Sequence, residues 1–111
     1  MTRVQLRELD PGEREVLRRG LALAQQATGQ DVGAMTSIVT FRDPGLRGLH
    51  KSGELLVRRE ELTSLGTFLV TVLHEYAHEF GGDGGKPHVD ALQQFLEQVI
   101  TTMEQENADA R

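Results

Sequence analysis

His74-Glu75-Tyr76-Ala77-His78 forms an H-E-x-x-H pentad. On a helix, side chains at i and i+4 leave the same face about one turn apart, so both imidazoles can reach a single cation. Zn²⁺ accepts imidazole nitrogens at about 2.0–2.1 Å and prefers four-coordination, with one position open to water in catalytic sites. Glu75 then stands beside that water as a candidate general base. The chain contains no cysteine, so a metal must be held by imidazole and carboxylate. The competing reading is a pair of core histidines hydrogen-bonded to carbonyls or carboxylates, because an unpaired buried polar group costs about 1–3 kcal/mol.

A third ligand is required. The next histidine, His88, follows the stretch Gly81-Gly82-Asp83-Gly84-Gly85-Lys86-Pro87. Its glycines cannot continue a helix interior and Pro87 disfavours helical geometry at Lys86, so the chain must reverse here. In the segment that follows, Leu92, Phe95, Leu96, Val99 and Met103 recur on one helical stripe. With His88 as origin that stripe centres about 30° away, which places His88 on the inward face, whereas Asp90 and Glu97 project more than about 130° away. His88 is therefore the first candidate for the third metal ligand. Asp83, in the glycine loop where a wheel says nothing, and Glu97, whose spacing resembles the gluzincin pattern, are the alternatives.

The pentad must sit on a helix, and its surroundings predict one. Within 60–80 the residues Leu62, Leu65, Leu69, Val72, Tyr76 and Phe80 recur at helical spacing. His74 and His78 lie almost opposite them, beside Thr67, Val70 and Thr71. The helix is apolar nearly all round, which predicts burial. Upstream, Asp10-Pro11-Gly12-Glu13 combines an N-cap, proline at the first helical position and a capping-box glutamate. The helix it opens runs to about Ala27, with Val16, Leu17, Leu21 and Ala24 inward and Gly29 as its stop. Met35–Phe41 reads as a strand, Asp43-Pro44-Gly45 as a turn, and Leu46–His50 and Glu54–Arg58 as short strands joined by Lys51-Ser52-Gly53.

The expected fold is α+β: an N-terminal helix, a small three-stranded antiparallel sheet, the metal helix, a glycine loop and a C-terminal helix. The expectation is one zincin-like domain over 1–111 with a polar, frayed tail from about 104. A strand just before the metal helix has a mechanistic use. If Leu46–His50 or Glu54–Arg58 is an edge, its unpaired backbone groups can hold an extended peptide by strand addition. Composition is ordinary for a soluble globular chain, at 38% hydrophobic and 26% charged. A net charge of −5 disfavours broad attraction to nucleic acid. No run reaches the roughly 18 apolar residues of a membrane span, and the charged start MTRVQLRELD shows no signal peptide, so the expected compartment is the cytoplasm.

The stretch from Gly53 to Leu96 resembles the core of small zincin metallopeptidases, in which a strand, an H-E-x-x-H helix, a short loop and a third-ligand helix follow in this order. It is similar to SprT-like and WLM-type domains, whose third histidine stands at the mouth of the following helix, as His88 does here. It also resembles the short H-E-x-x-H domains appended to ATPases of the Hsp90/gyrase type, where an aspartate often fills the loop position of Asp83. The resemblance implies zinc-dependent hydrolysis of peptide bonds, with Glu75 as general base and His74, His78 and His88 holding the metal. The substrate would be a peptide or protein. Such enzymes add a donor for the oxyanion. Tyr76 faces the core, which leaves His50 and Arg58 as candidates. A second function class stands beside this one: a non-catalytic zinc-binding sensor or regulatory module on the same scaffold. The small size leaves room for a module of a larger protein or for an oligomer.

Overall fold

Asp10, Pro11 and Glu13 open a helix as their types require in the computed structural model, which describes residues 1–82 and 85–109. The Glu13 amide donates to Asp10 Oδ1 at 2.7 Å, and the Asp10 amide donates to Glu13 Oε1 at 2.9 Å. This reciprocal cap satisfies two of the donors a helix start leaves orphaned. The chain order is β1 (Thr2–Arg3), α1 (Pro11–Thr28), α2 (Val32–Met35), β2 (Thr36–Thr40), β3 (Gly48–Lys51), β4 (Glu54–Arg58), α3 (Leu65–Ala77) and α4 (Lys86–Asp109). Gly29, at φ 72°, ends α1 in the left-handed conformation that glycine adopts without strain. The class is α+β.

The sheet corrects the expected three antiparallel strands. It has four, ordered β1-β2-β4-β3, and it is mixed: β2 pairs with β4 in parallel, while β1–β2 and β3–β4 are antiparallel. Two physical reasons account for the difference. In β4, Leu55, Leu56 and Val57 are all buried, so an unbroken apolar run takes the central position rather than an edge. Ser52 and Gly53, both at positive φ, close a two-residue turn that folds β4 back on β3 and leaves it parallel to β2. The fourth strand, β1, gives no apolar signal. It is held by Arg3, whose guanidinium forks onto both oxygens of Glu54 and reaches Ser37 Oγ, each at 2.8 Å.

The helices meet over this sheet. Ile38, Leu55 and Val57 join Leu23, Phe68, Val72, Leu73, Phe95 and Val99 in one core. Helices α1 and α3 approach closely at Gly20, where a Cβ would fall 2.3 Å from Phe68 Cδ2. Helix α4 continues to Asp109, past the point where the sequence predicts fraying, and Glu106 pairs with Arg19 on α1. Among the described residues no helix is long and apolar enough to cross a membrane.

Candidate metal centre

Ser64 caps α3 by accepting the Thr67 amide at 3.1 Å, and the helix then carries Thr71, His74 and Glu75 through its last two turns. At His78 it tightens into a 3-10 turn over His78–Phe80. The His78 amide donates to the Glu75 and Tyr76 carbonyls rather than reaching back to His74 as a regular α-helix would. That change matters on the next helix. Helix α4 opens at Lys86, which is helical despite the Pro87 that follows it, and His88 in its first turn is only 2% exposed. His88 Nε2 lies 3.0 Å from the His74 carbonyl oxygen.

A carbonyl oxygen only accepts, so His88 Nε2 carries the proton and Nδ1 is the basic nitrogen. Nδ1 is buried with no hydrogen-bond partner. An acceptor left so costs about 1–3 kcal/mol. The three rings converge: centroids are 4.4 Å apart for His78–His88, 4.7 Å for His74–His88 and 5.3 Å for His74–His78. One nitrogen from each lies within 4.8 Å of the others. Tetrahedral zinc at its usual bond lengths needs about 3.4 Å between ligand nitrogens, so the three rings would draw closer around a bound ion. A ligating histidine commonly gives its other N–H to a backbone carbonyl, as His88 does. The donor set fits a zinc-like cation.

Beside the histidines, Glu75 is buried, with Oε1 3.6 Å from His78 Nε2. The edge strand β3 lies directly on it. A Cβ at Gly48 would fall 3.0 Å from both Glu75 Cγ and Thr71 Cγ2, and 3.1 Å from Glu75 Oε2. A residue with a Cβ here would force the Glu75 and Thr71 side chains to give by a few tenths of an ångström. Between β3 and α3 is a groove of about 240 Å³ lined by Arg47, Gly48, Val70, Thr71, His74 and Glu75. A larger groove of about 870 Å³, between α1 and the β1–β2 side of the sheet, contains none of the histidines.

The other candidates separate clearly. Glu97 is exposed and accepts from Gln93 Nε2 at 3.3 Å, while Asp90 pairs with Lys86 at 2.7 Å, so both stay outside the cluster as the wheel requires. Asp83 lies outside the described residues. Tyr76 is buried against Phe80 and Phe95, and that burial pushes its hydroxyl pKa up. Arg58 is engaged with Glu60 and the Pro44 carbonyl and does not line the groove. His50, on β3, has Nε2 2.9 Å from Glu79 Oε1 and its ring 5.9 Å from that of His78.

Sequence reasoning misses one element of the site. Glu61 is buried, accepting from Thr71 Oγ1 at 2.6 Å and from Arg47 Nε at 2.5 Å. A glutamate before a helix reads as solvated, and nothing in its spacing marks it otherwise. Comparison with protein-family models, curated proteins and solved structures returns no match for this chain. What stands is a small α+β chain in which His74, His78 and His88 come together and could hold a metal ion.

Proposed function

We propose that this chain is a zinc-dependent metallopeptidase, with His74, His78 and His88 as metal ligands and Glu75 as general base. The observation that carries the reading is the buried, unpartnered Nδ1 of His88, a member of the histidine cluster. A cation there satisfies an acceptor that the protein leaves open. Zinc, when bound, supplies Lewis acidity toward a carbonyl and makes water more acidic.

The chain's own residues do the rest. His88 holds its ring by donating Nε2–H to the His74 carbonyl, which keeps Nδ1 in the ligating form. Glu75, pinned under Gly48, takes the proton of the attacking water and returns it to the leaving amine. Strand β3 is the sheet edge beside Glu75, so its outer backbone groups are available to align an extended peptide by strand addition.

The second reading, a zinc-binding sensor or regulatory module, is favoured by the small groove: about 240 Å³ accommodates one side chain rather than a length of peptide. One experiment separates the two. Purified chain is reconstituted with zinc and incubated with an unfolded protein, with and without chelator, beside Glu75→Gln. The peptidase reading expects chelator-sensitive cleavage and a variant that keeps zinc while losing about 10²–10⁴-fold in rate. Zinc bound by both forms and cleavage by neither leaves the module.

A further inference from the structure

Among the described residues that line the small groove, Arg47 is the one that carries a permanent positive charge. It precedes Gly48, whose backbone is fixed against Glu75 and Thr71. Its guanidinium is fixed separately: Nε donates to Glu61 Oε1 at 2.5 Å, and the same oxygen accepts from Thr71 Oγ1 at 2.6 Å. Thr71 stands one turn before Glu75 on α3, so Arg47 is tied to the helix that carries His74 and Glu75. The anchor is inside and the anchored group is not. The Glu61 side chain is 9% exposed and that of Arg47 is 56% exposed.

Neutralising Glu61 would need only that one contact. Neither Nη of Arg47 hydrogen-bonds a described residue, and these two nitrogens form the planar fork that matches a carboxylate. We infer that Arg47 is a specificity-determining residue that receives a substrate carboxylate in the groove beside Glu75. The inference rests on the peptidase reading and adds to it the substrate class: peptides with an acidic side chain, or a free C-terminus, next to the scissile bond. The groove's volume suits one such group. Val70, 43% exposed at its wall, offers an apolar surface for the methylene stem. Glu61 keeps the guanidinium in place without blocking its outer face, so less freedom is lost on binding.

The test uses the zinc-loaded full chain and matched peptides with Glu, Gln or Lys on either side of one cleavable bond, each with a free or an amidated C-terminus. Acidic peptides should be cleaved at least about tenfold better in kcat/KM than their Gln counterparts, the worth of one charge-assisted hydrogen bond. Arg47→Gln should erase that preference, Arg47→Glu should shift it toward Lys, and Arg47→Lys should keep it in weakened form. Arg47→Lys also preserves a charge for Glu61, which guards against misfolding of the neutral variant. Preference that follows the amidation state assigns the carboxylate to the chain terminus; preference that follows the side chain assigns it there. Cleavage indifferent to charge, or acidic preference that survives Arg47→Gln, overturns the inference while leaving the peptidase reading intact. If the wild-type chain cleaves nothing, the peptidase reading fails, and the carboxylate site is judged by N-acetylglutamate amide binding to the metal-free chain, followed by NMR. Amide shifts at Gly48 and Thr71 that vanish in Arg47→Gln support the site. Their absence in the wild-type chain overturns it.

Discussion

Two grooves among the described residues contrast with one another, and the larger is the less chemical. The groove between α1 and the β1–β2 side of the sheet has about 870 Å³ and is walled by residues such as Leu6, Leu17, Leu21 and Ile38. That volume falls within the usual range for ligand sites, and size alone would favour it. The groove between β3 and α3 has about 240 Å³, yet it has Arg47, His74 and Glu75 in its wall and a buried open acceptor next door on His88. The arginines around the large groove are already engaged: Arg3 with Glu54, Arg18 with Glu15, and Arg14 with the Leu6 and Arg7 carbonyls. Unsatisfied and converging polar groups are a better guide to a candidate site than volume.

The largest expected effect tests that contrast directly. His88→Ala should weaken zinc binding by more than about 100-fold, since losing a ligand exceeds the 10–100-fold typical of losing an outer-shell partner. Leu6→Ala, in the wall of the large groove, should leave both zinc content and peptide cleavage unchanged. Elemental analysis and competition with a chromophoric chelator measure the first, and the peptide assay the second. A Leu6→Ala chain that loses cleavage while keeping zinc would move the substrate site to the large groove.

A second substitution set sharpens the ligand assignment. Glu97→Ala should bind zinc as the wild type does, because Glu97 is exposed on α4 and engaged with Gln93. Asp83→Ala placed in the same titration decides whether the glycine loop contributes a further ligand. Zinc affinity that falls with Asp83 and not with His88 would reassign the third position and leave the open Nδ1 to another partner.

Much of this site was legible in the sequence because helices report their facing. Periodicity placed His74, His78 and His88 on surfaces that can meet, and it turned Glu97 and Tyr76 away. The sheet was less legible. Strand β4 matched its predicted limits, Glu54–Arg58, but pairing is a long-range choice that a five-residue run does not encode. Glu54–Arg58 was read as a possible edge, and the structure instead makes it central, with Leu55, Leu56 and Val57 all buried. Strand β1, only two residues long, rests on the Arg3–Glu54–Ser37 network, which spans 51 positions of sequence and leaves no local pattern. Glu61 stayed hidden for the same reason: its burial depends on Arg47 and Thr71, which only the fold brings to it.

Glycines on the two grooves should respond with opposite signs. At Gly48 an added Cβ meets Glu75 and Thr71 at 3.0 Å, so Gly48→Ala should destabilise by about 1–3 kcal/mol and lower activity by displacing the base. At Gly33, in α2 beside the large groove, the nearest atoms to an added Cβ are 3.4 Å away, an ordinary contact. Gly33→Ala should therefore be neutral or stabilise by up to about 0.5–1 kcal/mol through helix propensity. Chemical denaturation of both variants checks the signs, and equal destabilisation would mean that β3 does not bear on Glu75 as described.

The smallest effect lies along the pH axis, where the two sides of the molecule should separate. On the metal side, imidazoles ligate only when neutral, so zinc affinity should fall as the pH drops below about 6. On the other side, Arg3 and then Ser37 hydrogen-bond Glu54 and hold its carboxyl at about 2, down from the ordinary 4.5. A depressed carboxylate pKa stabilises the fold above its unfolded value and loses that contribution as the pH falls from about 4.5 through about 2. Glu13, held at about 2 by Arg59 and the Asp10 amide, acts in the same window. The Arg3–Glu54 pair is largely exposed and the Arg59–Glu13 pair is half-buried at the surface, so the contribution is small and salt-sensitive. Acid titration should thus release zinc first, with β1 still paired, and loosen β1 only in the lower window. Amide exchange at Arg3 and Val39, beside a zinc-release curve, resolves the two stages. Arg3→Gln should weaken the lower stage and leave the upper one where it is. If zinc release shifts with Arg3→Gln, the two sides are coupled through the sheet, and the metal centre depends on a strand that lies at its opposite edge.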